Sequence, residues 1–145
     1  MSETLSFLVP VDRSAHSLHA VRHVLDLARR GLVVEIHLLN VQAPVRGTAA
    51  MLIAKGELDS FHREEGMKAL DEARQVVAAV GMAPHLHVTV GQPGEMILAF
   101  AERLGCGQIV MGTRGYGGVT GAVLGSVANH VVAHSPIPVT LLHAD

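Results

Sequence analysis

Apolar runs of strand length alternate with helix-patterned segments along the whole of this chain, and no other property constrains the fold as much. Leu5–Val11 reads as a first strand, with Ser14 as the N-cap of the helix that follows. Leu18, Val21, Leu25 and Ala28 recur at helical spacing, and Gly31 supplies the stop. Val33–Val41 is strand-like. A polar connection, Gln42–Thr48, leads to a long helical stretch, clearest at Leu70, Ala73, Val77 and Val80 and ended by Gly81. Gly56 and Gly66 weaken the helical pattern of its first half. His85–Val90 alternates strictly, which predicts a strand at a sheet edge with one wet face carrying His85, His87 and Thr89. Pro93 opens a third helix to about Leu104, Gln108–Gly112 is a short strand, and a helix spans Ser126 to His134. Ser135-Pro-Ile-Pro breaks that helix, and Val139–His143 is the last strand. Five strands separated by helical segments predict one α/β domain over residues 1–145, a doubly wound parallel sheet with helices on both faces.

The length suits one domain, which can bury enough surface to need neither disulfides nor a structural metal. Hydrophobic content of 49% against 17% charged residues excludes a disordered or fibrous chain. With no apolar run of 18 residues, no membrane-spanning helix is expected. The start of the chain lacks a basic segment followed by an apolar one, and the single cysteine, Cys106, fits a reducing compartment; the expected location is the cytoplasm. A net charge of −2, dispersed arginines and four aromatic residues provide neither a basic stripe nor a stacking platform for nucleic acid.

In an open α/β sheet, ligands bind beyond the carboxyl ends of the strands, where the strand order reverses. Two features fall at such ends. Pro10-Val11-Asp12 closes the first strand and puts a carboxylate at the rim. Gly112-Thr-Arg-Gly115, nine further residues and then Gly125-Ser126 run from the fourth strand to a helix start. Of the chain's fifteen glycines, six (112, 115, 117, 118, 121 and 125) lie within the fourteen residues from Gly112 to Gly125. Glycines let backbone N–H groups approach an anion, and a helix N-terminus adds donors and the positive end of its dipole. Arg114 is the basic side chain of the loop, suited to phosphate charge. Ser126 offers a hydroxyl to the ligand, an N-cap to the helix, or both. By itself such a loop is equally a flexible connection, and Asp12 alone reads sooner as a solvated or helix-capping acid than as a ligand. Their joint position at strand ends favours phosphate binding.

Several familiar nucleotide signatures are missing. There is no G-x-x-x-x-G-K-[ST], and both lysines, Lys55 and Lys68, lie far from the loop. The dinucleotide fingerprint would follow the first strand, where Asp12-Arg-Ser stands instead, and Thr120 replaces the third glycine within the actual loop. A phosphoacceptor receiver domain would place further acids beside Asp12 and a lysine near the last strand.

The chain resembles the universal stress protein family along nearly its whole length. The resemblance rests on LVPVDRS at the start, LLNV at the end of the second strand, GQPGEMIL before the third helix, and IVMGTRGYGGVTGAVLGSVANHVVAHSPIPVTLLH. The G-2x-G-9x-G-[ST] spacing falls on Gly112, Gly115, Gly125 and Ser126. That resemblance implies strand order 3-2-1-4-5, a homodimer formed through Val139–His143, and membership of the ATP-binding branch. It places Asp12 on the ribose, the Val41 backbone on adenine with Pro10 and Val11 beside it, and Met111 and Gly112 along the ribose. Gly115, Gly125, Ser126 and Val127 would cradle the phosphates, with Arg114 at a position that varies in the family. Mg²⁺ or Mn²⁺ would ride on the phosphates without a dedicated protein cage.

The resemblance implies an ATP-binding, nucleotide-responsive stress protein acting through conformation and protein partners. Two alternatives stand beside it: a slow ATPase or self-phosphorylating enzyme, and an interaction scaffold that holds no nucleotide. No residue is assigned a catalytic role. Ten histidines are many for this length. His16, His19 and His23 can share a helix edge, and His130 and His134 are spaced as in a zinc helix but lack the intervening glutamate. Both sets read as solvated helix faces, and Cys106 as structural. No protein metal site is expected.

Overall fold

The computed structural model describes residues 3–47, 53–113 and 124–143. Strands β1 (Leu5–Pro10), β2 (Val34–Gln42), β3 (His85–Val90), β4 (Gln108–Gly112) and β5 (Val139–Leu142) form one sheet in the order β3-β2-β1-β4-β5. Every recorded pairing is parallel. The helices are α1 (Ala15–Arg29), α2 (Lys55–Ala78), α3 (Pro93–Leu104) and α4 (Ser126–His134).

Side-chain alternation along the strands splits the core in two. Phe7, Val9, Val11, Ile36, Leu38 and Val110 face α1 and α2, meeting Val21 and Val24 of one helix and Leu70 and Val77 of the other. Leu8, Leu39, Ile109 and Met111 face α3 and α4, meeting Ile97, Ala101, Ala128 and Val131. The single doubly wound α/β domain and the order 3-2-1-4-5 are thus as expected.

Two local expectations change. The helix before β3 runs unbroken from Lys55 to Ala78 through Gly66. Gly66 is a contact position, not a weak point: a Cβ there would stand 2.3 Å from Val88 Cγ1, so its absence lets α2 seat on β3. The face of β3 expected to be wet is half-covered by α3. The His87 ring meets Phe100 edge-on at 5.8 Å, and Thr89 lies against Met96, which leaves His85 exposed.

Candidate functional site

The chain visits β1, β2 and β3 moving one way across the sheet, then returns to place β4 on the other side of β1. The switch point therefore lies between the carboxyl ends of β1 and β4. The recorded β1–β4 pairs are Phe7↔Gln108 and Leu8↔Ile109, two residues short of Pro10. Pro10 has no N–H to extend that ladder, and the crevice of an open α/β sheet belongs at such a switch point.

One wall of the crevice is the turn from β1 to α1. The Ser14 N–H donates to Asp12 Oδ1 at 3.0 Å, and the Asp12 N–H points at Ser17 Oγ at 3.4 Å. Arg13 between them takes φ 73°, a left-handed conformation rare outside glycine, and its side chain reaches Glu65 Oε2 at 3.4 Å. Ser14 caps α1 by accepting from the Ser17 N–H at 3.2 Å. Asp12 is accordingly a turn-forming acid held at the rim, not the helix cap.

The second wall is the end of β2. The Val11 N–H donates to the Leu39 carbonyl at 2.8 Å. In a strand the N–H and C=O of one residue point the same way and alternate residues repeat the direction. Val41 therefore turns both backbone groups toward the β1 side, past the last residue of that strand. Buried Asn40 donates from Nδ2 to the Val11 carbonyl at 2.8 Å and accepts from Gln42 Nε2 at 2.7 Å. Behind Gln42 stands buried His62, Nδ1 at 3.5 Å from Gln42 Oε1, with Nε2 unpartnered among the described residues. Sequence reasoning missed this relay. Its signal was a single polar residue inside the apolar run Leu38-Leu39-Asn40-Val41.

The third wall joins β4 to α4. Met111 is buried, and Gly112 lies where α1 crosses the sheet. A Cβ on Gly112 would stand 2.3 Å from His16 Cβ and 2.9 Å from its carbonyl carbon. Helix packing alone thus demands glycine at 112. Thr113, which sequence reasoning passed over, anchors the loop at both ends. Its N–H donates to the Leu142 carbonyl at 3.0 Å, its carbonyl accepts from the Gly125 N–H at 2.7 Å, and its hydroxyl lies 3.2 Å from His143 Nδ1.

Gly125 is the capping residue of α4, at φ −73° and ψ 167°, so Ser126 is the first helical residue and not the N-cap. Gly125 brings no side chain to the first-turn amides of Ser126 and Val127, in contrast to the Ser14 cap on α1. Arg114 and Gly115, with Gly117, Gly118 and Gly121, lie outside the described residues. Pro10, Val11, Asp12, Val41, Met111, Gly112, Gly125, Ser126 and Val127 are all placed on strand ends or at the α4 start on this one rim.

Residues 5–143 match the family model for the universal stress protein family. The chain belongs to that family. A universal stress protein of Methanocaldococcus jannaschii, MJ0531, is 31% identical over 140 residues, covering 93% of this chain and 79% of its own. The structure of the hypothetical protein MJ0577 superposes with a TM-score of 0.83 at 27% identity, covering 97% and 96% of the two chains. A universal stress protein family member from Arabidopsis thaliana, solved with AMP bound, has a TM-score of 0.69 at 17% identity, with 97% and 92% covered.

The other titratable groups separate by position. His134 Nδ1 donates to the His130 carbonyl at 2.8 Å, and the two rings stack at 4.4 Å. His130 packs over Gly94, where a Cβ would stand 2.5 Å from its ring. Burial, and secondarily the negative charge of Glu35, pushes the Cys106 thiol up to about 11, which suits a structural role. No helix among the described residues is long and apolar enough to cross a membrane.

Proposed function

We propose that this universal stress protein binds ATP at the carboxyl rim of its sheet and acts through nucleotide-dependent conformation and partner choice. The observation that carries the reading is the α4 N-terminus, whose cap is a glycine and whose first-turn amides face the rim where β1 and β4 part. Adenine fits the outward-turned Val41 backbone, beside Pro10 and Val11. Asp12, fixed by its turn, accepts from the ribose hydroxyls, with Met111 and Gly112 alongside. The phosphates lie against Gly125, Ser126 and Val127, together with Gly115 and Arg114 of the loop. Gly125 shapes this cradle by lacking a side chain, since its own N–H is held by Thr113. The AMP held by the Arabidopsis relative supports an adenine nucleotide as the ligand class. Mg²⁺ or Mn²⁺ would be carried by the phosphates. Neither lysine, Lys55 nor Lys68, belongs to the connection from β4 to α4, which favours a binding role. The proposal extends to a cytoplasmic homodimer formed through the edge strand β5 and its neighbour His143.

Calorimetry with ATP and Mg²⁺ tests the reading. Saturable binding to the folded protein is expected; none at millimolar ligand would overturn it. Release of ADP above background, lost in Asp12→Ala or Ser126→Ala, would replace the binding role with an enzymatic one.

A further inference from the structure

The opposite rim of the sheet carries a cluster that the nucleotide reading does not use. Glu35 and His37 stand two apart on β2 and so share a face, and the parallel register pairs His37 with His85 and Leu39 with His87 on β3. His37 Nε2 lies 2.8 Å from Glu35 Oε1, and His85 Nε2 lies 3.6 Å from the same oxygen. One donor atom from each of Glu35, His37 and His85 falls within a sphere of mutual distances no longer than 4.8 Å. On its other side, His37 Nδ1 sits 2.9 Å from His87 Nε2. The three rings stack in a row, at 4.7 Å between His37 and His85 and 5.2 Å between His37 and His87.

We propose that Glu35, His37 and His85 bind a zinc-type divalent transition-metal ion at the amino rim of the sheet, with His87 positioning His37. A tetrahedral ion with ligands at about 2.0–2.1 Å spaces its donors about 3.3–3.4 Å apart, between the 2.8 and 3.6 Å approaches to Glu35 Oε1. Small tilts of the exposed His85 and Glu35 side chains bring the three donors to that spacing, and buried His37 supplies the rigid back of the site. Solvent access on the His85 side leaves a fourth position for water. Two imidazoles and one carboxylate select zinc, nickel or copper over Mg²⁺ and Ca²⁺, which prefer all-oxygen shells. When His37 Nε2 ligates, its proton must reside on Nδ1, where His87 Nε2 accepts it. A metal-bound histidine almost always donates its second N–H in this way. Phe100 packs on the far side of the His87 ring and fixes the acceptor in place. Along β2 the cluster lies about 13 Å (His37) to 20 Å (Glu35) from Val41, so it stands whether or not a nucleotide binds at the carboxyl rim.

The test uses the full chain, stripped with a chelator and free of nucleotide, titrated with zinc against a chromophoric competitor. One ion per chain is expected, weakened at least tenfold in His85→Ala and in Glu35→Gln, and unchanged in the double variant His130→Ala, His134→Ala. His87→Phe should weaken binding by about 10–100-fold, and His87→Gln, whose amide oxygen accepts the same N–H, should recover it. Absence of zinc binding by the folded chain, or equal binding by the parent, His85→Ala and Glu35→Gln, overturns the site. Parent-like affinity in His87→Phe overturns the positioning role.

Discussion

The two ends of β2 lie beside opposite chemistry. At the carboxyl end, around Val41, the groups on offer are backbone amides at a strand end and at an uncapped helix start. At the amino end, around Glu35 and His37, they are side-chain lone pairs converging on a point. Backbone donors suit an anion whose shape and charge are fixed, because they cost no side-chain ordering. Imidazole and carboxylate donors suit a cation. The same α/β frame can thus hold two charge types without interference, since strand length keeps them apart.

The largest effect expected on the carboxyl rim is structural. Gly112→Val should lower stability by about 1–3 kcal/mol or more, because the added carbon meets the α1 backbone at His16 and neither element can give way cheaply. Urea denaturation measures it. A parent-like midpoint would mean that α1 does not seat on Gly112 as described.

Gly125 separates packing from ligand binding. Its φ and ψ are open to any residue, so Gly125→Asp should raise stability by a few tenths of a kcal/mol through a new helix cap. The same carboxylate should weaken ATP at least tenfold, about 1.4 kcal/mol, by competing for the amides and repelling phosphate. Thermal melting and calorimetry on one preparation read the two opposite signs. Ser14→Ala provides the complement: removal of the α1 cap should cost about 1 kcal/mol of stability while ATP affinity stays near the parent's.

At the amino rim the smallest effect concerns pH. Burial, then the positive charges of His37 and His85, hold the His87 imidazole below its usual value in the folded chain. Between the folded and unfolded values the unfolded chain binds more protons, so stability falls as pH drops below about 6.5 and is intact above it. His87→Phe should flatten this part of the profile when melting is followed with chelator present. An unchanged slope would assign the acid sensitivity to other histidines.

Much of the fold was legible because its boundaries are written in local chemistry. Pro93 and Gly105 bracket α3, the latter in the left-handed conformation at φ 68°, and Ser135-Pro stops α4. The first half of α2 was obscure because Gly66 is chosen by a contact with Val88, and Ala54 at its start gives no capping signal. On the carboxyl rim, the strand-end positions of Asp12 and Gly125 were readable. The Thr113 anchor and the Asn40 relay were not, since each depends on partners distant in sequence. The Glu35–His37–His85 cluster required the register of two strands fifty residues apart, although Glu-x-His and His-x-His on neighbouring strands were its visible trace.

The most direct test of the central claim is residue-resolved NMR of the amides during titration with Mg²⁺-ATP. Saturable shifts are expected at Asp12, Val41, Ser126 and Val127, with His85 and His87 unmoved. Shifts confined to other surfaces, or none at millimolar ATP, would contradict it.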